Sequence, residues 1–184
     1  MRRFFHAAER SLSLSLFREA ERLVENFYRL KTGGVREHRY DVKTLVDLKE
    51  HEMSDRAFAH LCRYRYHKEN REDHPGNFSF FSICLQDDRI IDAIERSRPF
   101  VRLIPLVFYI ATHELVHIVR FATGESDFEA PQDERIREEE QVDVITRKIL
   151  RPVADSNLGI VLDCFDDRYH IGDVFTHGDY SALT

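Results

Sequence analysis

Cysteine is scarce in this chain and odd in number: Cys62, Cys84 and Cys164, with no C-x-x-C pair. So few and so widely spaced, they exclude a disulfide framework and a cysteine-rich zinc module. Positive charge is also short, with 27 Lys and Arg against 33 Asp and Glu and a net charge of −6. A nucleic-acid surface needs clustered basic excess, and the basic stretch "RYRYHK" (63–68) has acids close by, so it reads as a solvated face. Apolar runs are interrupted, and none is expected to reach the about 18 residues that span a bilayer. The basic start "MRRFFHAAERSLSLSLF" is broken by Glu9, Arg10, Arg18 and Glu19 and lacks a clean cleavage signal. Internal repeats and low-complexity linkers are absent. The expectation is a cytoplasmic protein with reduced thiols and with neither nucleic acid nor membrane as partner.

What is present is an ordinary globular composition, 42% hydrophobic and 33% charged over 184 residues, enough for one domain with a substantial core. Apolar residues at helical spacing predict an amphipathic helix over 13–31, stopped by Gly33-Gly34. Residues 36–48 fit either strand or helix, and a helix is expected from about Ser54 through Ala57, Phe58 and Leu61. "REDHPGN" (71–77) is a turn, and "FSFFSICLQ" (78–86) reads as a strand. A short helix near Asp87 precedes two long ones, about 105–121, ended by Gly124, and about 133–150, closed before Pro152. The apolar "LGIVLDCF" in the tail is expected to be strand.

The first long helix carries "ATHELVHIVRF" (111–121). His113 and His117 lie one turn apart on one face, so their imidazoles can share a metal ion, with Glu114 beside them as a proton carrier. The pattern arises by chance in roughly one shuffled sequence in twenty, so its context matters. Ile110, Ala111, Leu115, Val116, Ile118 and Val119 surround the three polar residues, and buried polar groups need partners. A cation would satisfy all three. A catalytic zinc takes a third protein ligand and leaves a position for water. The metzincin pattern is excluded, because Arg120 and Thr123 stand where glycine and histidine would be needed, and no histidine lies between 117 and 170. The returning helix "ERIREEEQVDVITRKIL" instead offers Glu139, with Asp143 one turn on. Glu138, on the apolar stripe of Val142, Ile145 and Ile149, is an alternative third ligand, as are Glu134 and Glu140. Asp143 can also be read as a solvated helix residue, and Cys84 as a small core residue.

"THELVH" followed by "EEQVD", read as E-x-x-x-D, resembles the gluzincin clan of zinc metallopeptidases, and the chain's size resembles the minigluzincins. The resemblance covers roughly residues 78–150. It implies an α+β, zincin-like fold, mainly helical with a small β-sheet, in which the H-E-x-x-H helix packs against the helix bearing the third ligand. Residues 1–184 would form one such domain: an N-terminal helical part (1–77), a metallopeptidase-like core (78–150) and a C-terminal tail (151–184). It further implies Zn²⁺ held by His113, His117 and Glu139, with Asp143 orienting a ligating histidine. Glu114 would be the general base of an endopeptidase acting on a peptide or protein substrate. "FSICLQDDRII" resembles the edge strand that holds substrate in small zincins. The second reading is a zincin-like metal-binding protein without peptidase activity, serving regulation or assembly. Tyr169, His170, His177 and Tyr180 are candidate transition-state donors, and the stretch "DCFDDRYHIGDVFTHGDYSA", with Cys164, His170 and His177, is chemically able to cover a metal.

Overall fold

A computed structural model describes residues 2–66 and 78–165. Among them are five α-helices and a three-stranded sheet: α1 (Ala7–Tyr28), β1 (Tyr40–Lys43), β2 (Ala59–Tyr66), β3 (Phe78–Leu85), α2 (Asp87–Arg96), α3 (Leu103–Thr123), α4 (Gln132–Leu150) and α5 (Ser156–Cys164). The class is α+β, mainly helical with a small sheet, as expected. The sheet order is β1-β3-β2, with β1 parallel and β2 antiparallel to β3. The run "FSICL" therefore lies on the central strand, and the edges beside it are β1 and β2.

The helices start and stop for identifiable reasons. The backbone N–H of His6 donates to Glu9 Oε2 at 2.8 Å, which starts α1 well before the expected residue 13. Gly124 ends α3 in the left-handed region at φ 75°, where a Cβ is disfavoured. Asp155 caps α5 by accepting from the Leu158 N–H at 2.8 Å.

Three expectations fail here. The segment expected as a helix from Ser54 becomes β2, because Ala59 and Leu61 pack on the helical side while Cys62 and Tyr64 pack on the other. Both faces are covered, so the apolar pattern loses its period. "LGIVLDC" is helix rather than strand: its cap is in place, and Leu158, Val161 and Leu162 bury one face at helical spacing. The N-terminal part is likewise not helical throughout, since it supplies β1 and β2.

The core is built around α3, which packs against α1, α4 and α5 and against β2. Contrary to expectation, α3 is by length and composition apolar enough to cross a membrane, but 72% of that window is buried inside the protein. Its apolar residues serve as the centre of the fold, and the two histidines therefore sit on its most enclosed helix. Asp87, wholly buried, fastens the chain's start to the sheet by accepting from the N–H groups of Phe5 (2.9 Å) and Leu45 (3.1 Å).

Candidate metal centre

α3 and α4 form an antiparallel-type helix pair joined through Gly124 and a short polar loop, and their facing turns bring the chemistry together. His113 Nε2 and His117 Nε2 are 3.1 Å apart. Glu139 straddles them, with Oε2 3.3 Å from His113 Nε2 and Oε1 3.2 Å from His117 Nε2. One donor atom from each of the three residues lies within 4.8 Å of the others, so the group could hold a metal ion. The donors fit one: two imidazole nitrogens and a carboxylate turn their lone pairs on a common point, and two histidines plus a glutamate are ligands of catalytic zinc sites.

The surrounding residues fix these donors. Asp143 Oδ1 lies 3.2 Å from His113 Nδ1, an ion-pair approach rather than a well-directed hydrogen bond. Tyr109, one turn before His113, donates its hydroxyl to the same Asp143 oxygen at 2.9 Å. The Tyr109 ring stacks on Phe165 with centroids 3.9 Å apart. His117 stacks on Phe121 at 5.5 Å, and its Nδ1 has no hydrogen-bond partner among the described residues; Glu138 Oε1, at 3.8 Å, is too distant for one.

Glu138, one residue from Glu139, turns elsewhere. Its two oxygens accept from Arg120 Nε (2.7 Å) and Nη2 (2.9 Å), and Arg120 Nη1 donates to Glu125 at 2.6 Å. This bidentate pair occupies Glu138, so among the adjacent glutamates Glu139 is the one that meets both histidines.

Electrostatics follow from the crowding. Burial alone would lower the His113 pKa, but Asp143 and Glu139 outweigh it and hold it well above the usual histidine range. Burial pushes Glu139 upward, and the two histidines outweigh that, holding it well below the usual carboxylate range. Glu114 is buried at 8% exposure, and among the described residues no hydrogen bond or ion pair engages its carboxylate. Burial raises its pKa, partly offset by the two imidazoles.

A cavity of about 850 Å³ lies at the C-terminal end of α3, lined by Phe121, Phe128, Arg120 and Glu138 among others. It reaches the ring that His117 stacks on, but none of the three donors lines it.

The residues singled out in the sequence therefore divide. His113, Glu114, His117, Glu139 and Asp143 are brought together. Tyr169, His170, His177 and Tyr180 lie outside the described residues, as does most of the tail segment. Cys84 is a core residue with no exposure, on the sheet rather than in the centre. Sequence reasoning missed Tyr109 and the Arg120–Glu138 pair. Tyr109 had a signal, since it stands four residues before His113 and so shares its face. The Arg120–Glu138 pair had none, because only the packing of α3 on α4 brings residues 18 apart together. No family model, no curated protein and no solved structure matches the chain.

Proposed function

We propose that the protein is a zinc-dependent metallopeptidase of zincin-like fold, gluzincin in type, hydrolysing peptide bonds within a peptide or protein substrate. The observation that carries this reading is the convergence of His113, His117 and Glu139 on one point beside a buried glutamate whose carboxylate, among the described residues, makes no hydrogen bond. A structural glutamate buried this deeply normally has partners, whereas a general base must keep its carboxylate unoccupied and within reach of the proton it takes.

His113, His117 and Glu139 would hold Zn²⁺, which when bound supplies a Lewis acid that polarises a carbonyl and acidifies water. Everything else is the work of the chain's own side chains. Asp143 holds His113 from its Nδ1 side, leaving Nε2 to act as donor, and Tyr109 holds Asp143. Glu114 accepts the proton of the attacking water on a carboxylate oxygen and returns it to the leaving amine. Phe121 and Phe165, against His117 and Tyr109, lock the ring orientations.

One observation favours a second reading, a metal-holding protein that does not hydrolyse peptides: the cavity lies beside the centre and none of the three donors lines it. Glu114→Gln separates the two readings. Under the peptidase reading, cleavage of a mixed peptide library falls by at least about a hundredfold while bound zinc is retained. Wild-type protein that holds zinc and cleaves nothing in such a library would leave the second reading standing.

A further inference from the structure

The contacts behind the candidate metal centre do not stop at Asp143 and Tyr109. On α4, Glu139, Asp143 and Arg147 recur every four residues and so share one face, as Tyr109 and His113 do on α3. Arg147 carries this face on to α5, where its Nη1 donates to the Phe165 carbonyl at 2.8 Å. Phe165 is the residue on which α5 ends, its N–H donating to the Val161 carbonyl at 3.2 Å. The last carbonyls of a helix have no donor within it, and a cation beside them also meets the negative end of the helix dipole. Arg147 answers both needs.

The grip on the backbone also places the ring. Phe165 lies flat on Tyr109, with centroids 3.9 Å apart and planes 21° from parallel, and Tyr109 is buried. The Tyr109 hydroxyl donates to Asp143 Oδ1 at 2.9 Å, and that same oxygen lies 3.2 Å from His113 Nδ1. One unbroken path of contacts therefore runs from Arg147 through Phe165, Tyr109 and Asp143 to His113.

We propose that Phe165 and Arg147 are positioning residues of the candidate metal centre: Arg147 clamps the end of α5, and the clamped Phe165 ring holds Tyr109 and Asp143 in the place that aims His113 Nε2 at the metal. The inference rests on the metal-holding part of the proposed function and is independent of whether the centre hydrolyses peptides. It makes α5 part of the centre, although α5 supplies none of the three donors.

The weakest link in the path explains why the distant residues count. Asp143 meets His113 by a close approach that is not a well-directed hydrogen bond. The imidazole is therefore aimed by where the Asp143 oxygen is held, and the hydroxyl of Tyr109 holds it. Burial and the neighbouring Asp143 carboxylate keep the Tyr109 hydroxyl pKa well above the usual phenol range, so it remains a donor. A Tyr109 ring that loses its flat cover can tilt, and its hydroxyl then carries Asp143 with it. A second contact joins the same two helices, Arg151 Nη1 to Asp163 Oδ1 at 3.2 Å, but both side chains are about half exposed and the pair leads to no candidate donor. It serves as the internal control.

The test pairs competition for zinc against a chromophoric chelator with the imidazole proton–nitrogen resonances of His113 in the metal-free chain. Tyr109→Phe keeps the ring and removes the hydroxyl, and should weaken zinc binding about tenfold, as loss of an orienting partner does. Phe165→Leu keeps apolar bulk without the flat ring, and Arg147→Met keeps the stem without the grip. Each acts one contact further out and should weaken zinc binding by about three- to tenfold. In all three variants the His113 resonances should move. Phe165→Tyr should stay within about twofold of wild type, and Arg151→Gln should leave both readouts unchanged. Wild-type affinity and wild-type His113 resonances in folded Phe165→Leu and Arg147→Met would overturn the proposal, as would an equal loss in Arg151→Gln. The resonances are read without metal, so they decide the clamp even if the wild type takes up no zinc, a result that would count against the metal site itself.

Discussion

Two regions of this protein bury ionised side chains, and they do so differently. On the outer face of the sheet, Glu52 is wholly buried, and its carboxylate accepts from Lys43 Nζ (2.5 Å), the Lys49 N–H (2.8 Å) and the Tyr64 hydroxyl (2.5 Å). Gln86 beside it is equally complete: its amide donates to the carbonyls of Glu52 and Cys84 and accepts from the Ser54 N–H. Between α3 and α4 the accounting does not close. Two imidazole nitrogens and a carboxylate face one another, and among the described residues neither His117 Nδ1 nor the Glu114 carboxylate, 8% exposed, has a hydrogen-bond partner. Since buried polar groups are normally satisfied, a self-sufficient network marks architecture. A convergent and incomplete one marks a place for a ligand.

The contrast can be broken most forcefully on the architectural side. Glu52→Ala would leave the Lys43 ammonium without its partner, and urea unfolding should show a loss of about 3–5 kcal/mol. The same residue carries an acid signature. Burial alone would raise its pKa, but the hydrogen bonds of Lys43, Lys49 and Tyr64 outweigh this and hold it at about 2. A carboxylate held below its unfolded value stabilises the fold fully above that value, 4.5, and the contribution disappears as pH falls through about 2. The stability of the wild type should therefore fall between pH 4.5 and about 2 more steeply than that of Glu52→Ala.

Glu138→Ala sharpens the comparison from inside the helix pair. It removes the bidentate partner of Arg120, so thermal or urea unfolding should reveal a cost of about 3 kcal/mol. Zinc affinity should nevertheless stay within about threefold of wild type, because Glu138 accepts from no imidazole at bonding distance. A large loss of affinity with intact stability would mean that the two adjacent glutamates have been assigned the wrong way round. Asp143→Asn is expected to act in the opposite sense. Stability should change little, while zinc affinity drops by about 10–100-fold, as for other residues that orient a ligating histidine. Competition with a chromophoric chelator measures it.

Much of this contrast was legible in the sequence on one side only. The residues of the candidate metal centre announce themselves through helical spacing: His113 and His117 four apart, Glu139 and Asp143 four apart, and an apolar surround that makes polar residues costly. The helices α3 and α4 are long, periodic and cleanly ended, so their packing as neighbours was a short step. The network of Glu52, Gln86, Lys43 and Tyr64 left no trace, because its members come from four separate segments that meet only when β1, β2 and β3 assemble. β2 itself was hidden for the same reason: covered on both faces, its apolar residues do not alternate with polar ones. α5 misled through its run of Leu, Ile and Val, residues equally at home in a buried strand, where the Asp155 cap was the decisive sign.

Elemental analysis of purified protein tests most directly whether Glu139 completes a metal site with His113 and His117. Wild type and Glu138→Ala should each carry about one zinc per chain, and Glu139→Ala should lose nearly all of it after dialysis against a mild chelator. A wild type without zinc, or equal zinc retention in Glu138→Ala and Glu139→Ala, would contradict it.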